Sequence, residues 1–164
     1  MKRWQYILGG IGLVFVVIQF IPNELPPTTQ QNTGDISTSG LVSKEIADLL
    51  KTSCYSCHSN ETNYPWYSYV APTSWLMKKD VSEGREELNF STWLDYDTTK
   101  MLGKLDDISS EVGEGRMPMK IYTLMHPSAK LDETQRASIV AWAEETMDKI
   151  AEEEEEEEVE ASDN

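Results

Sequence analysis

Apolar positions recur with helical periods along most of this chain, separated by short irregular spacers, and no stretch alternates as a strand would. Ile7 to Ile21 is apolar except for its glycines and Gln19. Counted from Trp4, the stretch is 18 residues, at the short end for crossing a bilayer. It predicts a transmembrane signal anchor over residues 1–22. Pro22 to Gly40 is rich in Pro, Thr, Gln, Asn, Ser and Gly, which predicts a flexible linker over 23–40. Ser43 then offers an N-cap, and Ile46, Leu49, Leu50 and Cys54 share one helical face, so an amphipathic helix should run straight into residues 54–58.

Asn60 to Pro72 is dense in aromatics and proline and predicts an extended loop. Thr73 or Ser74 should cap a helix reaching about Leu88, with Trp75 and Leu76 buried; Gly84 weakens it. A short helical start is expected over 89–94. Another helix should begin near Asp97 or Thr98, carry Met101, Leu102, Leu105, Ile108 and Val112, and stop at Gly113 and Gly115. Residues 115–127, with two prolines and no period, read as a loop. The last helix has the clearest start: Asp132 and Gln135 form a capping box beside Leu131, followed by the apolar Ile139, Val140, Trp142, Ala143, Met147 and Ile150. The expected fold is therefore all-α: one helical domain over 41–150, about 110 residues, with a self-repelling acidic tail over 151–164, disordered after its first turn.

Charge changes this picture little. The net charge is −15, but nine acids lie between Glu152 and Asn164, leaving −6 for the remainder. An acidic chain of this kind does not bind nucleic acid through phosphate contacts. Lys2 and Arg3 precede the apolar run and no basic residue follows until Lys44, which places the N-terminus in the cytoplasm and the domain outside it. A cleaved signal peptide is the alternative, although Gln19 to Asn23 offers no small-x-small cleavage site.

The chemistry is concentrated in Cys54-Tyr55-Ser56-Cys57-His58, a C-x-x-C-H motif that uses both cysteines of the chain. Two thiols three residues apart lie on one face of a helical turn, where each can add to a porphyrin vinyl group. His58 projects from the same face as Cys54 and can serve as an axial iron ligand. The pattern thus points to one covalently attached haem c. A thioredoxin-like dithiol would need a βαβ pattern, a structural zinc site a second Cys/His pair, and a disulfide would leave the following histidine unexplained. For the sixth iron position the candidates are Met117, Met119, Met125 and His126; Met117 stands out because Pro118 stiffens the loop behind it. Arg85, Trp66, Tyr67 and Tyr122 are candidate pocket or propionate residues.

Cys54-x-x-Cys57-His58-Ser59-Asn60-Glu61-Thr62, Tyr64-Pro65-Trp66-Tyr67, Glu83-Gly84-Arg85 and Leu88-Asn89-Phe90-Ser91 together resemble the bacterial haem-binding domain family. Gly115-x-Met117-Pro118, Tyr122, Met125-His126-Pro127 and the Leu131-to-Trp142 stretch continue the resemblance, which covers residues 41–147. Members often read Met-Pro-Pro where this chain has Met117-Pro118-Met119. The resemblance implies a membrane-associated or periplasmic domain similar to small monohaem cytochromes c.

The resulting expectation is a cytochrome-c-like, single-pass protein of the cytoplasmic membrane, its domain on the periplasmic side. It would carry one haem c on Cys54 and Cys57 with His58 and Met117 as iron ligands, and would exchange electrons with an unidentified redox protein, not act as an enzyme. The competing expectations are a haem sensor or peroxidase-like protein with an open or labile sixth position, and an interaction module with structural haem.

Overall fold

The computed structural model describes residues 3–162, with side chains through residue 156; Met1, Lys2, Asp163 and Asn164, two of which entered the charge argument, lie outside the described residues. The described chain is helical, with helices α1 (Arg3–Ile18), α2 (Lys44–Ser53), α3 (Tyr55–His58), α4 (Thr73–Glu87), α5 (Thr98–Gly113), α6 (Lys120–Met125) and α7 (Glu133–Ser162). Among the described residues the strand-like pairing is a single isolated bridge between Gly34 and Thr92. The all-α expectation holds.

The local signals act as the sequence implied. Ser43 accepts from the Ile46 amide, Asp97 from that of Lys100, and Asp132 from that of Gln135, whose own side chain accepts the Asp132 N–H in return. Gly115 follows α5 with φ +74°, the left-handed conformation that a glycine past a helix end supplies. The apolar stripe of α5 (Leu105, Ile108, Val112) meets Ile139, Trp142 and Ala143 of α7 in the most extensive helix pairing of the molecule. Trp142 reaches across to donate from Nε1 to the Leu41 carbonyl at 2.9 Å, tying α7 to the approach to α2. Burying such side chains is worth ~1.5–3 kcal/mol each, so this pairing is the main framework on which the cavity described below is built.

Four expectations are corrected. First, among the described residues no helix is long and apolar enough to cross a membrane; α1 has 16 residues, because the chain turns at Gln19 and Phe20 before the apolar run ends. Second, residues 29–38 are not a flexible linker. Thr29 donates to the Asn60 carbonyl (2.8 Å) and Ile36 to that of Phe90 (2.9 Å), while the Ile36 side chain lies fully in the core. Asp35, also buried, accepts from the Tyr55 hydroxyl at 2.9 Å. One buried apolar residue and one buried acid lie within this polar stretch, a signal that average composition conceals. Third, α7 continues through Ser162, where disorder was expected after one turn; glutamate is a good helix former, and extending an existing helix adds one hydrogen bond per residue fixed. Fourth, residues 120–125 form α6 and not a loop, and α4 is preceded by Pro72 with no side-chain cap; Trp75 is half-buried and Leu76 is 42% exposed.

Candidate functional site

The C-x-x-C-H motif is not a continuation of α2. The helix breaks at Cys54, whose backbone (φ −120°, ψ −39°) leaves the helical range, and α3 restarts as one turn. Both the Cys57 and the His58 amides donate to the Cys54 carbonyl, at 3.1 and 3.0 Å, which closes the turn and places the two sulfurs and the imidazole at one site. Both cysteines are free and partly buried, so the disulfide alternative is not realised.

Helix α4 crosses α3 at backbone distance. A Cβ at position 84 would lie 2.9 Å from the Cys57 carbonyl oxygen, so only glycine permits this approach. The residue that weakened the helix prediction is the one the site requires. Its carbonyl does further work, accepting from His58 Nδ1 at 2.8 Å, with the Leu88 carbonyl at 3.2 Å on the same nitrogen. Two carbonyls can only accept, so they place the proton on Nδ1 and leave Nε2 with its lone pair, the tautomer an iron ligand needs. Burial holds the His58 pKa below its usual value, the backbone acceptors opposing this. Burial likewise pushes the Cys54 thiol up to about 12, with Cys57 adding to it, and the Cys57 thiol up to about 11, with Asp80 adding to it.

Met117 reaches the site by a different route. After Gly115 turns the chain, the Met117 amide donates to the Glu111 carbonyl at 3.0 Å and its carbonyl accepts from Arg136 Nη1 at 3.0 Å. The same guanidinium nitrogen donates to the Val112 carbonyl, so Arg136 of α7 clips the end of α5 and the Met117 loop together.

These elements enclose a cavity of about 450 Å³. Cys54, Cys57, His58, Met117 and Met119 all line it; Leu50, Leu88, Phe90, Ile108 and Val112 make it apolar; Asp80, Glu83, Glu87, Asp107 and Glu111 add carboxylates. Of the four candidates for the sixth position the structure brings Met117 and Met119 to the cavity. Met125 is 58% exposed, and His126 Nε2 is held by the Tyr67 hydroxyl at 2.5 Å with its ring stacked on Tyr122; neither lines the cavity.

The aromatic and basic candidates divide as well. Tyr122 lines the cavity and donates to Ser56 Oγ inside the motif at 2.8 Å. Arg85 does not point there: its three nitrogens hold the Ser59 and Pro27 carbonyls and Thr62 Oγ1, at 2.7–2.9 Å. Trp66 stands 77% exposed outside. Sequence reasoning missed Arg136, for which a lone arginine in a helix gives no signal, and Gly84, for which a glycine inside a helical period was the available one.

The donor set fits a haem: two free thiols one turn apart, an imidazole whose Nδ1 faces two carbonyls, a thioether, and apolar walls within the usual size range of ligand cavities. A structural zinc site is not formed, since among the described residues no three His, Cys, Asp or Glu side chains converge on one point.

An all-α domain with a C-x-x-C-H turn on an apolar cavity defines a class of haem-binding module. The match to the haem-binding domain model runs over residues 13–145, and the chain belongs to that family. The match takes in residues 23–40, in agreement with their docking on the domain. The chain is also similar, at 28% identity over 102 residues, to the cytochrome c peroxidase Ccp of Escherichia coli (strain K12); the alignment covers 60% of this chain and 22% of that protein's length. No solved structure matches.

Proposed function

We propose that this domain holds one haem c covalently and transfers single electrons at the outer face of the cytoplasmic membrane, without converting a substrate. The observation that carries the reading is one cavity receiving Cys54, Cys57, His58 and Met117. Cys54 and Cys57 would hold the group by thioethers, each S–H adding across one vinyl C=C so that no atom is lost; His58 and Met117 would hold its iron. When bound, such a group supplies an iron that takes up and releases single electrons.

The protein's own contribution is positional. Gly84 and Leu88 orient His58, Arg136 and Glu111 orient Met117, and Leu50, Phe90, Ile108 and Val112 exclude water. Carboxylates around the cavity favour a redox partner with a basic face. Helix α1 supports the membrane location: it is apolar and none of it is buried in the domain.

The test is a denatured intact mass, with oxidised and reduced visible spectra, on chain matured with a cytochrome c assembly system. A mass increase of one haem and the weak far-red band of Met-to-ferric-iron ligation are expected, and Met117→Ala should abolish the band and leave the mass increase. No mass increase would overturn covalent attachment. A peroxidase-like reading is favoured by the similarity to the Escherichia coli cytochrome c peroxidase; a high-spin ferric spectrum with rapid carbon monoxide binding on reduction would select it over the electron carrier.

A further inference from the structure

The end of α1 is clamped to the domain. Gln19 Oε1 accepts the Ala71 amide at 2.9 Å, and Gln19 Nε2 donates both to the Ala71 carbonyl at 3.0 Å and to the Phe15 carbonyl at 2.9 Å. A side-chain amide paired with both polar groups of one backbone residue behaves like a rung of a ladder, and it fixes where the helix leaves the domain. Beside the clamp, the single 3₁₀ turn Trp66–Tyr69 presents Trp66 and Tyr69, which eclipse each other at this spacing and are 77% and 68% exposed. Phe20 and Ile21, at the helix end, are 82% and 51% exposed, and both share a cleft of about 240 Å³ with Tyr69. Ser68, fully buried with no partner for its hydroxyl among the described residues, also lines this cleft.

We propose that Phe20, Ile21, Trp66 and Tyr69 form a foot that sits in the lipid–water interface, so that the haem cavity is held at a fixed attitude to the membrane and does not swing on a tether. This rests on the reading that α1 enters lipid. Three observations select lipid as the occupant. Ile7, Leu8, Val16 and Val17, spread by the helical period round the whole circumference of α1, are each at least 52% exposed; an apolar groove on a protein would cover one face, whereas hydrocarbon covers all. The 16 residues of α1 rise roughly 24 Å, short of the ~30 Å hydrocarbon core, and an apolar foot continuous with the helix extends that length. Trp and Tyr are the side chains that favour the headgroup level.

The proposal is tested on the full haem-loaded chain in mixed vesicles of phosphatidylethanolamine and phosphatidylglycerol. A benzophenone amino acid is placed in turn at the positions of Trp66, Tyr69, Leu13 of α1 and Leu94 on another exposed turn, and adducts are read by mass. Lipid adducts at 66, 69 and 13 with none at 94 are expected, and Gln19→Ala should remove most of the adduct at 66 and 69 while leaving that at 13. Adducts at 13 without 66 and 69 would overturn the foot and leave the α1 reading standing; no lipid adduct at any position would overturn both. A protein-mass adduct at 66 or 69 would assign the face to a protein partner instead. Unchanged yields in Gln19→Ala would overturn the clamp.

Discussion

The two sides of the haem cavity are built by opposite means. The His58 side is backbone against backbone: α4 lies so close to α3 that position 84 has no room for a methyl group, and the imidazole is fixed by two main-chain carbonyls. The Met117 side is a turn held from outside, with one amide on Glu111 and one guanidinium on the carbonyls of Val112 and Met117. The first arrangement tolerates no displacement; the second can lose a bond and keep its helices. A cavity with one rigid and one pinned candidate ligand should therefore fail differently when each side is cut.

The largest effect should come from Gly84→Ala. The new Cβ meets a main-chain carbonyl that cannot rotate away, so the loss should reach or exceed the ~1–3 kcal/mol typical of overpacking, and haem incorporation should fall with it. Denaturant unfolding of the variant, beside its haem content per chain, checks this. Stability and loading equal to the parent would mean that the α3–α4 approach is looser than described.

Arg136→Met should cost about 1.5–3 kcal/mol from charge-assisted bonds to two carbonyls, with a smaller effect on haem content, and should act on the Met117 side. Haem content is expected to persist while the Met-to-iron far-red band weakens or shifts. A fall in haem content with the band per remaining haem unchanged would reverse the assignment of the two sides. A gentler cut is Tyr122→Phe, which deletes the bond to Ser56 inside the motif; ~0.5–1.5 kcal/mol is expected, read as a lowered thermal midpoint with the same ligand spectrum.

The smallest change sharpens the comparison by its sign. Gly103 lies exposed in the interior of α5 with nothing within 4 Å of a new Cβ. Gly103→Ala should therefore stabilise by about 0.5–1 kcal/mol through helix propensity alone. Opposite signs for the same substitution at 84 and 103 would show that contact with Cys57, and not glycine in a helix as such, sets the effect.

Much of this was legible before any coordinates. Ser43, Asp97 and Asp132 cap helices where local spacing said they would, because a cap spans four residues or fewer, and the stripe of α5 is buried as its period required. The docking of Asp35 and Ile36 was not legible. Their partners Tyr55 and Phe90 lie 20 or more residues away, and the surrounding Thr, Ser and Gly dominate any average. Nor could composition foresee that Gln19, the one polar break in an apolar run, pairs with Ala71 at a distance of 52 residues in sequence.

By itself the sequence determined the helical class, the capped starts of α2, α5 and α7, and the contiguous C-x-x-C-H turn of Cys54, Cys57 and His58, since each is encoded within a turn or two of chain. It left four residues open for the other side of the site. Only the tertiary structure decided that Met117 and Met119 line the cavity while Met125 and His126 do not, that Arg85 straps the loop beside the motif, and that Gly84 holds His58 and Arg136 holds Met117. The physical reason is range: a cap or a C-x-x-C-H turn closes on neighbours, whereas a cavity is closed by packing α5 against α7 and α4 against α3, and no local spacing records which side chains those pairings bring together.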